Sequence, residues 1–294
     1  MAVLVTSDMV RALSATVKSI YAEFGQGAPQ TWQTLATLIP TSQSSESYAW
    51  LGELPVLREF LDERVIKGLK EYGFTITNRT WEATIGVKRA ALEDEQTGQL
   101  RLRIQQLAEA AQAHYDKLIY DLIADGETGL AYDGDTFFSD GHNNVGAGAL
   151  SAANIGTAIA TMMGLAHANG EPMMVRPNVL VVPPALWMSA STILSSAFWP
   201  DATGRGAHSD NPLRGMLSLV VAPRLATDTE WYLFDCTHPV KPFILQQRIA
   251  PELEALEGES DGGFLRDEFL YGVRTRDNAG YGLWQYAYKS SGGG

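Results

Sequence analysis

One apolar stripe constrains this chain more than any other feature. Leu100, Ile104, Leu107, Ala111, Leu118 and Leu122 recur at three- and four-residue steps, with His114 or Tyr115 filling the gap. The spacing predicts one continuous helix from about Glu93 to about Ala124, with Gly126 ending it. Such a helix spans ~45 Å at 1.5 Å per residue, well above the mean globular length. The other elements must therefore be laid along a rod.

The stretch before the rod has a different period. In "TWEATIGV", Trp81, Ala83, Ile85 and Val87 alternate with Glu82, Thr84 and Gly86, which is the period of a half-buried strand. Glu93, Asp94 and Glu95 stand at the joint. Acids there can act as general acids, or can satisfy the free N–H groups and positive dipole of a helix start. No His or Lys is placed by sequence to work with them, so the helix-start reading is preferred.

Upstream, Val10, Leu13, Val17, Ile20 and Phe24 define an amphipathic helix of roughly four to five turns, with Ser7 as N-cap and Gly25 as stop. "GQGAPQTWQTLATLIPTSQSSESYAW" then reads as an extended arm that must lie on something else to be ordered. From Arg58 to Lys88 a charged, two-sided, hairpin-like excursion is expected, "FTITN" and "TWEATIGV" being strands; a two-stranded ribbon has no core of its own. From Leu130 to Val221 the chain reads as a Gly- and Ala-rich α/β module. Ser151 is expected to cap a helix, "NVLVVPP" is a buried strand, and Pro184 is placed at the N1 position of another helix. The last third is strand-like and aromatic.

Composition narrows the function classes. The 294 residues suffice for one large or two modest domains. A formal net charge of −12 and the lack of a basic run argue against a tight nucleic-acid binder. Cys236 is the single cysteine, so no intrachain disulfide forms and cytosolic folding fits. No signal-peptide pattern and no membrane-spanning apolar run is read.

The search for chemistry returns little. HExxH, GxxxxGK[ST] and GxGxxG do not occur. Cys236 and His238 lie two apart in "YLFDCTHP", where a small buried thiol is the plainer reading. Asp133, Asp135, Asp140 and His142 in "YDGDTFFSDGH" offer hard-cation ligands, but the calcium-loop spacing is not met and Asp-Gly pairs are turn chemistry. The aromatics Tyr271, Tyr281, Trp284, Tyr286 and Tyr288 lack the surrounding cations of a base-stacking platform and are read as an apolar strand face. No catalytic residue, cofactor or metal is assigned.

The order of parts, together with the wordings "SYAWLGELPVLREFLDERVIKGLKEYGFTITNRTWEATIGVKRAALEDEQTG", "YDGDTFFSDGH", "WYLFDCTHPVKPFILQQRIAPELEA" and "DEFLYGVRTRDNAGYGLWQYAY", resembles tailed-phage major capsid proteins. The closer likeness is to the major head subunits of phage Mu and Mu-like prophages. The resemblance implies an α+β fold of the Hong Kong 97 type. An N-terminal arm would occupy 1–46, an E-loop 47–89, the P-domain spine helix 90–129, an A-domain 130–228, and the remaining P-domain strands and tail 229–294. It also implies self-assembly into pentamers and hexamers of an icosahedral head around double-stranded DNA that is not bound by sequence. The protein would then reside in the virion, after synthesis in the host cytoplasm.

A separate scaffold, a head-maturation protease, a portal and a decoration protein are the implied partners, with no membrane and no cofactor. An arm and a ribbon leave apolar surface half exposed on one subunit, which marks a partner site. Leu57, Phe60, Arg64, Val65, Lys67, Lys70, Phe74 and Trp81 are the expected inter-subunit contacts. The competing readings are an encapsulin-like compartment shell, a metal-dependent hydrolase built on Asp133, Asp135 and His142, and a tail or portal accessory protein.

Overall fold

The computed structural model describes residues 7–24, 30–48, 51, 74–88, 97–167, 170–198, 210–256 and 268–293. Its axis is a 28-residue helix, Thr97–Ala124 (α3), about 42 Å long; the acids Glu93, Asp94 and Glu95 lie outside the described residues. The buried stripe is Leu100, Ile104, Leu107, Ala108, Tyr115, Leu118, Ile119 and Ile123, while Ala111 and Leu122 are only half-buried. The stripe is thus rotated from the one expected, because the second half of the rod meets two sheets where the first half meets one. Tyr115 fills the gap, edge-on to Trp32 at 5.4 Å.

The rod ends where the sequence places Gly126. A Cβ on Gly126 would stand 2.3 Å from the Phe138 ring, so the phenyl group seals the helix end in the space that glycine leaves.

Four strands form the first sheet, in the order β1-β9-β10-β4: Ala36–Pro40 (β1), Arg79–Lys88 (β4), Phe243–Leu256 (β9) and Glu268–Tyr281 (β10). β1 runs parallel to β9; β10 is antiparallel to both β9 and β4. Helix Ser7–Phe24 (α1) lies along the rod, and its Val17 and Ile20 share a core with Leu100, Ile104, Val87, Phe269 and Tyr271.

Five short strands form the second sheet, in the order β5-β11-β8-β6-β7: Val145–Gly146 (β5), Val179–Val182 (β6), Ser218–Val221 (β7), Trp231–Phe234 (β8) and Ala287–Ser290 (β11). β6 is buried on both faces, as "VLVV" requires. Its Leu180 and Val182 face helices Ala152–Met163 (α4) and Trp187–Ser195 (α5), while Val179 and Val181 face the side of α3. A 3₁₀ turn at Pro184–Leu186 leads into α5, with Pro in its first positions.

Ser151 caps α4 as expected: it is extended, at φ −150° and ψ 158°, and its hydroxyl accepts the Asn154 N–H at 3.2 Å. Ser151→Ala is expected to cost about 1 kcal/mol, measured as a shift in the urea midpoint at unchanged slope.

Three expectations are corrected. The arm does not wait for a foreign surface. Trp32 and Leu35 of the short helix Trp32–Leu35 (α2) are buried, β1 is hydrogen-bonded to β9, and α1 is packed on α3. The cause is long-range: the Asp116 carboxylate on α3 accepts the N–H groups of Thr31 and Trp32 at 3.1 and 2.7 Å and so caps α2 from a distant element.

Second, β4 is not one arm of a free hairpin; it pairs with β10 along all ten of its residues. Third, the segment 229–294 does not keep to one sheet. β9 and β10 belong to the first, but β8 and β11 are hydrogen-bonded into the α/β sheet drawn at 130–228. β8 is as apolar as β6, and strands buried on both faces carry no mark of the sheet they will join.

Candidate assembly surface

Strand Ser45–Ser47 (β2) pairs antiparallel with Thr75–Thr77 (β3), setting Ser47 opposite Thr75. The Tyr48 N–H donates to the Phe74 carbonyl at 2.8 Å. The intervening chain therefore leaves and rejoins the body at one root. That root is held firmly. Tyr48 and Leu51 are buried, and the Tyr48 hydroxyl donates to Gln246 Oε1 at 2.8 Å, while the Gln246 amide donates to the Ile76 carbonyl at 3.2 Å.

Of the expected contact residues, Leu57, Phe60, Arg64, Val65, Lys67 and Lys70 lie outside the described residues. Phe74 and Trp81 are half-buried. Phe74 lies against both central clusters. Trp81 tilts over His114 of α3 at 4.8 Å, and its indole N–H points to the Asp277 carbonyl at 3.4 Å. A groove of about 160 Å³ opens beside it, lined by Trp81, Ala83, Ala110, Ala111, His114 and Val273 among others. Trp81 thus serves its own subunit on one side and borders this groove.

Below the groove lies a polar seam that sequence reasoning missed. Asp277 is fully buried and accepts from the Thr275 hydroxyl, and His114 Nε2 stands 2.9 Å from its Oδ1. From sequence, His114 is one of two residues that can fill the gap in an apolar stripe, and Asp277, in "RTRDNAG", carries no local signal. A second missed seam joins the two halves of the fold. Lys289 is buried on β11, 2.9 Å from Glu230 and 3.1 Å from Glu127 just past the end of α3.

The residues of the hydrolase reading do come together, as a clasp. Asp133 accepts the Trp284 indole N–H at 2.8 Å, and His142 Nε2 stands 2.9 Å from the same oxygen. The His142 ring is stacked on Trp284 at 4.0 Å. Asp135 is engaged in its own turn: the Thr136 N–H at 2.7 Å and the Ser139 hydroxyl at 3.0 Å hold its carboxyl below the usual range. Among the described residues, no group of three His, Cys, Asp or Glu side chains is arranged to hold a metal ion. Burial pushes the Cys236 thiol up to about 12, which disfavours the nucleophilic thiolate. His238 faces Asp235 at 3.3 Å and stacks on Tyr286. No described helix is long and apolar enough to cross a membrane.

Comparison with known proteins agrees with the architecture. The family described as "Mu-like prophage major head subunit gpT" matches residues 10–149, 145–225 and 224–292. The major capsid protein of Escherichia phage Mu is 29% identical over 97% of this chain and 74% of its own length. The Mu-like prophage FluMu major head subunit of Haemophilus influenzae is 27% identical over 98% of this chain and 75% of its own. Among solved structures, a chain of the procapsid of bacteriophage JBD30 superposes with a TM-score of 0.62 at 30% identity, over 97% of this chain and 76% of that one. The readings as a hydrolase and as a tail or portal accessory protein are therefore set aside, and the Asp133 and His142 clasp is structural. This chain belongs to the Mu-like prophage major head subunit family: it is a structural capsid subunit of a phage head, with the Hong Kong 97-type fold.

Proposed function

We propose that this subunit closes into rings of five and six copies, the pentamers and hexamers of an icosahedral head that encloses double-stranded DNA. Head-to-tail contacts that return on themselves make rings. The single observation that carries the reading is the root formed by β2 and β3, from which residues 48–74 leave and return at one place. That excursion, the free part of the E-loop, reaches a neighbouring copy through Leu57, Phe60, Arg64, Val65, Lys67 and Lys70, while Phe74 braces its root and Trp81 stays on the body. Mixed charge in the excursion suits register and partner choice more than affinity.

The spine helix at 90–129 and the long sheet form the P-domain. The A-domain is 130–228 together with β8 and β11. A separate scaffold, a maturation protease, a portal and a decoration protein complete the head. The genome is held without sequence recognition, since a net charge of −12 repels phosphate.

The test is electron microscopy of particles produced together with the head-assembly partners. Closed shells with five- and six-fold rings are expected. Leu57→Glu with Phe60→Glu is expected to lower the particle yield at least tenfold while the soluble subunit still folds. A subunit that stays monomeric at high concentration with its scaffold present would overturn the reading. A protein cargo in place of DNA would favour the compartment-shell alternative.

A further inference from the structure

Among the described residues, the two helices that layer the second sheet, α4 and α5, carry no charged side chain. Between Asp140 and Glu171 the only titratable side chains are His142 and His167, and between Arg176 and Asp201 there is none. In a chain that is 19% charged, these two stretches supply both α4 and α5. The buried sides of the two helices, Ile155, Ile159 and Met162 on α4 and Ala190, Ile193 and Leu194 on α5, belong to one cluster with Leu180, Val182 and Leu233 of the sheet. Both helices therefore cover the same face of the sheet, and their outer sides look the same way.

That outer side is also poor in free hydrogen-bonding groups. The hydroxyls of Thr157 and Thr161 donate back to the carbonyls of Ala153 and Thr157 at 3.1 and 3.0 Å. Those of Thr192 and Ser195 do the same to Met188 and Ser191 at 2.9 and 2.6 Å. Covering such a surface leaves few polar groups unsatisfied. Its large side chains are apolar and open: Met163 is 51% exposed, Trp187 49% and Met188 62%. Pro184 to Met188 form an apolar run in which every residue but Leu186 is exposed, a pattern that marks a contact surface.

We propose that the α4–α5 layer is a contact between neighbouring copies of this chain, layer against layer; this rests on the shell reading above. Charge selects the occupant. Two copies of a protein with net charge −12 repel wherever their acidic surfaces meet, and a basic partner would find no carboxylate on either helix to pair with. A surface without charge is complementary to itself, so it is where identical acidic subunits approach without a like-charge penalty. Trp187 then has the exposure and chemistry of an interface anchor.

The test places charge on this layer and asks whether an opposite charge repairs it. Thr157 and Met188 are both exposed, so Thr157→Glu with Met188→Glu leaves the core intact, checked by circular dichroism and a thermal midpoint close to wild type. Produced with the head-assembly partners, this variant is expected to lower the yield of closed particles at least tenfold. Thr157→Lys with Met188→Lys is expected to fail likewise alone, and an equal mixture of the two is expected to recover mixed particles. Wild-type yield from the Glu variant alone, beside a wild-type control that assembles, overturns the inference and leaves the shell reading standing. A Glu variant that fails both alone and in the mixture overturns the second copy as occupant. A wild-type control that does not assemble overturns the shell reading itself.

Discussion

Asp277→Ala is expected to destabilise the isolated subunit by about 3 kcal/mol, the scale for deleting a buried, hydrogen-bonded carboxylate and leaving its partners unsatisfied. Asp277 is fully buried on β10, and His114 of α3 faces it at 2.9 Å. Truncation strands the imidazole below Trp81, where only a small part of the ring meets water. Thr275 is better protected, because its one hydroxyl proton can turn wholly to the Ile249 carbonyl, 2.8 Å away. The His114 contact therefore carries most of the loss. At roughly 2–4 °C per kcal/mol for a chain of this size, the melting midpoint falls by about 6–12 °C.

Asp277→Asn keeps an oxygen toward His114 and is expected to cost about a third as much. Adding His114→Ala to Asp277→Ala should cost less than the sum of the single changes, since the two groups are in contact. A loss below ~0.5 kcal/mol for Asp277→Ala, read from urea unfolding, would show that the seam contributes nothing to holding the rod on the sheet.

The parts of this fold that were legible are those in which a residue's neighbours along the chain decide its state. The α3 stripe, the alternation of β4, the Ser151 cap, the all-apolar β6 and the Pro184 turn each follow from a local period or a single backbone preference. What escaped was set by partners more than eighty residues away or by pairing choices. β8 and β11 read correctly as strands, yet nothing in "WYLF" or "AYKS" says that they pair with β6 and β5 instead of extending the sheet of β9. The ordering of residues 30–48 on their own subunit depends on β9 and on Gln246 and Asp116, none of which is visible from "TWQTLATLIP".

The candidate surface divides in the same way. Apolar and mixed-charge residues at 57–70 stand out by composition. The charge-free layer of α4 and α5 emerges only once the sheet shows that two separate stretches face the same way. The Asp133 and His142 pair shows the reverse hazard. A spacing that invites a metal reading is consumed by an indole N–H and a stacked ring contributed from position 284.

Trp231→Ala is expected to have the largest effect of any single substitution, roughly 3–5 kcal/mol. Trp231 is 1% exposed, heads the fully buried side chains by volume, and sits on the central strand β8 facing the helical layer. Its loss empties the space between the sheet, Tyr288 and the start of α4. It also removes a bond. The indole N–H donates to the Gly148 carbonyl at 2.9 Å, and the Ser290 hydroxyl shares that acceptor at 2.7 Å. Gly148 lies three residues before the Ser151 cap, so Trp231 fixes the point from which α4 starts and hence the position of the uncharged layer.

Trp231→Phe separates the two contributions, because it keeps most of the buried apolar surface and discards the N–H. It is expected to cost about 1–2 kcal/mol, and Ser290 keeps the carbonyl satisfied. If the packing account is right, Trp231→Ala should lower both the unfolding midpoint of the subunit and the hydrogen-exchange protection of α4, whereas Trp231→Phe should leave that protection nearly intact. Equal losses from the two variants would mean that the hydrogen bond, and not the filled volume, holds the helical layer to the sheet.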